Sequence, residues 1–156
     1  GYTLHTTLMR PKSRGSVTLQ SANPYQAPHI DPGFFTHPDD MAVAIKGARM
    51  GFEVLEAKAM ESYRGKRLHP FDVNDDRAME QFLRATCDTE YHPVGTCKMG
   101  PDNDPMAVVD AQLRVRGIQN LRVVDASIMP LLISGNTNAP SMVIGEKAAQ
   151  LIRAGA

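Results

Sequence analysis

Residues 38–63 read PDDMAVAIKGARMGFEVLEAKAMESY and carry the strongest periodic signal in the chain. Pro38, Asp39 and Asp40 supply the proline and acids that favour a helix start. Met41, Ile45, Ala48, Phe52, Leu55 and Ala59 then recur at three- and four-residue spacing, which places them on one helical face. The pattern predicts a helix that ends near Tyr63, before Gly65. Downstream, Asp75–Cys87 predicts a second helix with Met79, Phe82 and Leu83 inward and Asn74 or Asp75 as its cap. Upstream, Tyr2–Met9 alternates weakly and reads as a strand. The turn Pro11–Gly15 and the run Ser16–Leu19 after it predict a hairpin with that strand. Asn23–Thr36 holds three prolines and a glycine and reads as irregular. Beyond a punctuated loop at Thr89–Asn103, short β segments are expected at Val108–Val109 and Gln112–Val115, and a buried strand at Leu121–Val124. A last helix is expected from about Ala139 to Arg153, with Met142, Val143, Ala149 and Ile152 mostly buried. Strands first, then helices, then a mixture predict an α+β fold with an antiparallel sheet and packed helices.

The chain has 156 residues, which fits one domain over residues 1–156. Lys plus Arg equals Asp plus Glu at 17 each, and no basic cluster appears, so nucleic acid is not an expected partner. No apolar run is long enough to span a bilayer, and the N-terminus has no signal-peptide pattern. Cys87 and Cys97 are too few for a disulfide framework, and no metal-ligand spacing accompanies them. They read as free thiols in a reducing compartment, so a cytoplasmic location is expected. The nine methionines read as core filler, and His5, His29, His37 and His69 as surface or strand residues. The chain opens at Gly1 directly into an alternating stretch, which suggests a piece of a longer protein.

Three segments carry candidate chemistry. In Tyr91–Gly100 (YHPVGTCKMG), His92 sits in a loop stiffened by Pro93 and turned by Gly95. An imidazole can accept or donate a proton near neutral pH, although one loop histidine is more often a surface or core residue. In Leu121–Ser127 (LRVVDAS), an apolar strand ends in Asp125 and the small residue Ala126. A ligand can approach backbone there, or the acid can simply close a turn. In Ser134–Ser141 (SGNTNAPS), Pro140 suits a first helical turn, and the helix N-terminus offers unpaired N–H groups to an anion. Asn138 in that segment reads equally as an N-cap or as an active-site residue.

Taken in order, HPVGTCKMG, LRVVDASIMP and GNTNAPSMVIGEKAAQLI resemble the C-terminal signature of the glucose–methanol–choline oxidoreductases, FAD-dependent enzymes acting on alcohols. RPKSRGSVTLQSANPYQAPHIDPGFF resembles the opening of the same substrate-binding domain, so the resemblance covers about residues 8–153. The NTNAP form is most similar to the choline and alcohol dehydrogenase branch. The resemblance implies that His92 is the active-site histidine and proton acceptor, and that Asn138 is the His-or-Asn residue opposite it. It implies that Asp125 and Ala126 approach the FAD pyrophosphate and ribityl chain, and that Asn138, Ala139 and Pro140 contact the flavin's pyrimidine edge. The implied reaction oxidises a primary alcohol, choline-like or other, to an aldehyde with hydride transfer to flavin N5; an electron acceptor is the further partner. The G-x-G-x-x-G motif that holds FAD in the family is absent here. The N-terminal FAD-binding domain is therefore expected upstream, with the isolated chain inactive and a weak binder of FAD. Leu121–Arg153 would complete that domain as a strand, loop and helix, and alone is expected to be disordered, repacked or buried in a homo-oligomer such as a dimer. The competing expectation is a non-catalytic binding or assembly module that keeps the fold.

Overall fold

The structure is a computed structural model and describes residues 1–155. It divides into two compact units, the first of residues 1–90 and the second beginning at Tyr91.

The first unit is built on helix α1, Pro38–Leu55. His37 holds its N-cap, with Nδ1 accepting from the Asp39 amide at 3.2 Å, and Asp39 and Asp40 fill the acidic first turn. Met41 and Ala48 are buried on the face the periodicity picks out. The helix stops eight residues before the expected Tyr63, because Ala57 turns extended (ψ 144°) and Lys58–Tyr63 continues as 3₁₀ helix. The Leu55 carbonyl, which would accept from Ala59 in a longer helix, accepts the Tyr2 hydroxyl at 2.9 Å instead.

That contact also explains a correction. Tyr2–Met9 is not a strand. It lies along α1, where Thr6 and Leu4 approach the buried Gly51 so closely that a Cβ there would sit 2.9–3.0 Å from their methyl groups. A helix surface offers an extended segment no backbone ladder to join. The strand partner of the expected pair is elsewhere. β1 (Ser16–Thr18) pairs antiparallel with β2 (His29–Asp31), in the register Ser16↔Asp31, Val17↔Ile30 and Thr18↔His29. β2 lies inside the segment expected to be irregular, and its three residues fit between Pro28 and Pro32. Gly33, at φ +62°, must be glycine, since a Cβ would fall 2.3 Å from the Arg14 carbonyl oxygen.

Helix α2, Asp76–Thr86, starts where Asp75 accepts from the amides of Arg77 and Ala78, as expected of the cap. Its Met79 is fully buried. Phe82 stacks on Phe71 at 4.8 Å between centroids, and Phe52 of α1 meets Phe71 edge-on at 5.7 Å, which ties the two helices together.

The second unit has a core of Val109, Leu113, Ile128 and Ala148. The β segments expected there form isolated bridges rather than strands: Met99 with Val109, Val109 with Val115, and Arg114 with Arg122. Left-handed residues at Leu113, Gly117 and Asn120 turn the chain every few positions and interrupt any ladder. Helix α3 spans Asn138–Arg153. It seats Ile144, Ala148 and Leu151 against the core, at i, i+4 and i+7. The expectation for Met142, Val143 and Ile152 is corrected, since they are 63%, 66% and 56% exposed. The helix is apolar on more than one side, so periodicity alone cannot choose the face that meets the core. With helices and a small antiparallel sheet, the fold class is α+β. Among the described residues no helix is long and apolar enough to cross a membrane.

Candidate active site

All three chemistry-bearing segments lie in the second unit, and hydrogen bonds join them. The loop that carries His92 bends at Tyr91 (φ +61°) and at Gly95 (φ +91°). Beyond these bends Cys97 donates its amide to the Ser127 carbonyl at 3.0 Å, and Met99 donates to Ile128 at 2.7 Å. The first segment is thus stitched to a 3₁₀ turn, Ala126–Ile128, that ends the second. Asp125 caps this turn by accepting from the Ser127 amide at 2.7 Å, leaving its carboxylate exposed and Ala126 half-buried. Lys98 donates to Asp104 at 2.7 Å, fastening the far end of the loop; this contact holds the Asp104 carboxyl below its ordinary range.

The third segment meets the first through the His92 ring. Nδ1 lies 3.0 Å from Thr137 Oγ1, and Nε2 lies 2.9 Å from Asn136 Nδ2. An amide nitrogen only donates, so Asn136 donates to Nε2, which must carry a lone pair. In the neutral ring the proton then sits on Nδ1 and is donated to Thr137 Oγ1. Thr137 is 7% exposed, whereas Asn136 is exposed. The imidazole is therefore anchored on its buried side and turns its basic nitrogen toward the open side.

Sequence reasoning placed Asn138 opposite His92. The residues the structure brings to His92 are Asn136 and Thr137. Asn138 is the exposed first residue of α3, and Thr137 rather than Asn138 holds its N-cap position. The Thr137 hydroxyl makes no cap bond. The first-turn amides of Asn138 and Ala139 therefore make no bond to the cap side chain, Pro140 has no N–H, and Ser141 already donates to the Thr137 carbonyl at 3.0 Å. An open helix start with exposed small residues suits a group bearing negative charge. No pattern in GNTNAP separates Asn136 from Asn138, so only the geometry finds the former.

An open groove of about 790 Å³ runs along Arg114–Arg122 of the same unit, and none of the sequence-predicted site residues lines it. Among the described residues no three His, Cys, Asp or Glu side chains are grouped to hold a metal.

Comparison with known proteins gives a consistent picture. The family model described as GMC oxidoreductase matches residues 11–145. The chain is 46% identical over 153 residues to an alcohol dehydrogenase [acceptor] of Pseudomonas putida, covering 97% of this chain and 27% of that protein. It is also 46% identical to the mitochondrial choline dehydrogenase of Mus musculus, covering 97% of this chain and 26% of that one. Among solved structures, an FAD-dependent oxidoreductase from Chaetomium thermophilum superposes with a TM-score of 0.83 at 31% identity, over 92% of this chain and 25% of that one. The chain thus spans about a quarter of the length of the relatives it matches.

Proposed function

We infer the function from one premise: the chain belongs to the GMC oxidoreductase family. On this reading the chain is the substrate-facing part of an FAD-dependent enzyme that oxidises a primary alcohol, choline-like or other, to an aldehyde. The observation that carries the reading is the His92 ring, held at Nδ1 and offering an unprotonated Nε2 beside an amide donor.

The residues proposed to meet FAD lie at two places. Asn138, Ala139 and Pro140, at the uncapped start of α3, would hold the flavin's electron-rich edge. Asp125 and Ala126 would lie along the pyrophosphate and ribityl chain. When bound, FAD supplies the hydride acceptor for the carbinol carbon. The chain's own residues do the rest. As the alcohol enters, the Asn136 amide turns from His92 Nε2 to the alcohol oxygen; Nε2 then takes the hydroxyl proton as the alcohol is oxidised, and Thr137 stays on Nδ1. Asn136 cannot act as a base; its amide donates to the alcohol oxygen and positions it between donor and proton acceptor. Most of the FAD contacts would come from outside this chain, so the isolated chain is inactive. An electron acceptor completes each turnover of the intact protein. Both cysteines are free thiols, which supports a reducing, cytoplasmic setting.

General-base catalysis contributes about 100- to 10,000-fold. His92→Ala in the intact protein therefore lowers turnover by that order and leaves FAD bound. Wild-type turnover of a primary alcohol by this variant would remove His92 from the mechanism.

A further inference from the structure

We propose that Thr137 is a positioning residue that, together with the Asn136 amide on Nε2, holds the proton of His92 on Nδ1 and so keeps Nε2 unprotonated as the proton acceptor. The proposal rests on the reading of His92 as the catalytic base. Three observations converge on it. Thr137 Oγ1 lies 3.0 Å from His92 Nδ1. Thr137 is one of two buried polar residues among those described, at 7% exposure. It also occupies the N-cap of α3, where a threonine hydroxyl ordinarily accepts from the helix's first-turn amides, yet it makes no such bond. The hydroxyl serves the histidine in place of the helix.

The consequence is specific. Thr137 Oγ1 accepts from Nδ1–H both in the neutral ring and after Nε2 has taken a proton. A side chain with no acceptor at this position leaves Nδ1–H unpaired and favours the other tautomer, whose protonated Nε2 cannot take the alcohol's proton.

The test uses the intact, FAD-loaded protein with ¹⁵N-labelled histidine rings, the His92 signals being identified by their loss in His92→Ala. In the wild type and in Thr137→Ser, His92 shows a protonated Nδ1 and an unprotonated Nε2. In Thr137→Val the population moves toward protonated Nε2. The same variant loses about three- to tenfold in kcat with KM unchanged, and Thr137→Ser restores it. A wild-type His92 that carries its proton on Nε2 overturns the proposal even if Thr137→Val does not fold. A folded Thr137→Val with an unaltered tautomer and kcat also overturns it. If His92→Ala loses turnover while Thr137→Val changes nothing, only the role of Thr137 falls. If His92→Ala keeps turnover, the underlying reading of His92 falls as well.

Discussion

Thr137 and Asn136 show what a side chain's identity leaves open. Threonine at an N-cap contributes about 0.5–2 kcal/mol to a helix when its hydroxyl accepts a first-turn amide. α3 forgoes that term, and Ile144, Ala148 and Leu151 hold the helix through the core instead. That His92 meets the GNTNAP segment was legible in the sequence. Which asparagine of that segment touches the ring was not, because Asn136 and Asn138 are separated only by where the helix begins, and boundaries are the weakest part of a sequence reading. The two positions predict different outcomes. Asn136→Ala removes the donor beside Nε2 and lowers turnover about tenfold or more, the effect of losing one positioning hydrogen bond. Asn138→Ala leaves Nε2 and its donor in place, so its effect appears chiefly in FAD retention. Steady-state rates and flavin content of the two variants, measured side by side, check this; equal rate losses with full flavin content would contradict it.

Elements that answer to their own sequence were read well, and those that answer to a neighbour were not. The start of α1 and the Asp75 cap of α2 follow from local chemistry and stand where expected. The end of α1, the non-strand Tyr2–Met9 and the pairing of β1 with β2 depend on contacts distant in sequence, such as the Tyr2 hydroxyl on Leu55. Asp40 is one such long-range tie, accepting from the amides of Lys12 at 2.8 Å and Ser13 at 2.7 Å. Burial pushes its carboxyl up, but these amides, the Ser13 hydroxyl and His37 outweigh burial and hold it below its ordinary value. A depressed carboxylate stabilises the fold above its unfolded value, about pH 4, and that stability is lost as pH falls through the lower folded value. Asp40→Ala strands two backbone donors, which costs about 1–3 kcal/mol at neutral pH. The gap in thermal midpoint between wild type and variant, measured on the intact protein, is therefore widest near pH 7 and narrows below about pH 4. A gap independent of pH would mean that the charge on Asp40 contributes nothing.

At the scale of the molecule, each unit has its own apolar centre, built on Met79 and the phenylalanines in the first and on Val109 in the second. The residues proposed for chemistry all belong to the second. The sequence exposed that grouping through three ordered segments, and the structure adds the hydrogen bonds that join them: loop amides to the Ala126–Ile128 turn, and the His92 ring to Asn136 and Thr137. The apolar residues left exposed on α3 were not legible, because a helix with more than one apolar side does not announce which of them meets its own core.

The most direct test of the proposed function is the absorbance spectrum of the intact protein, taken before and after anaerobic addition of a panel of primary alcohols. Oxidised-flavin bands that bleach with at least one alcohol are the predicted result. A colourless, well-folded protein that cannot be loaded with FAD would contradict it and leave a binding or assembly module in its place.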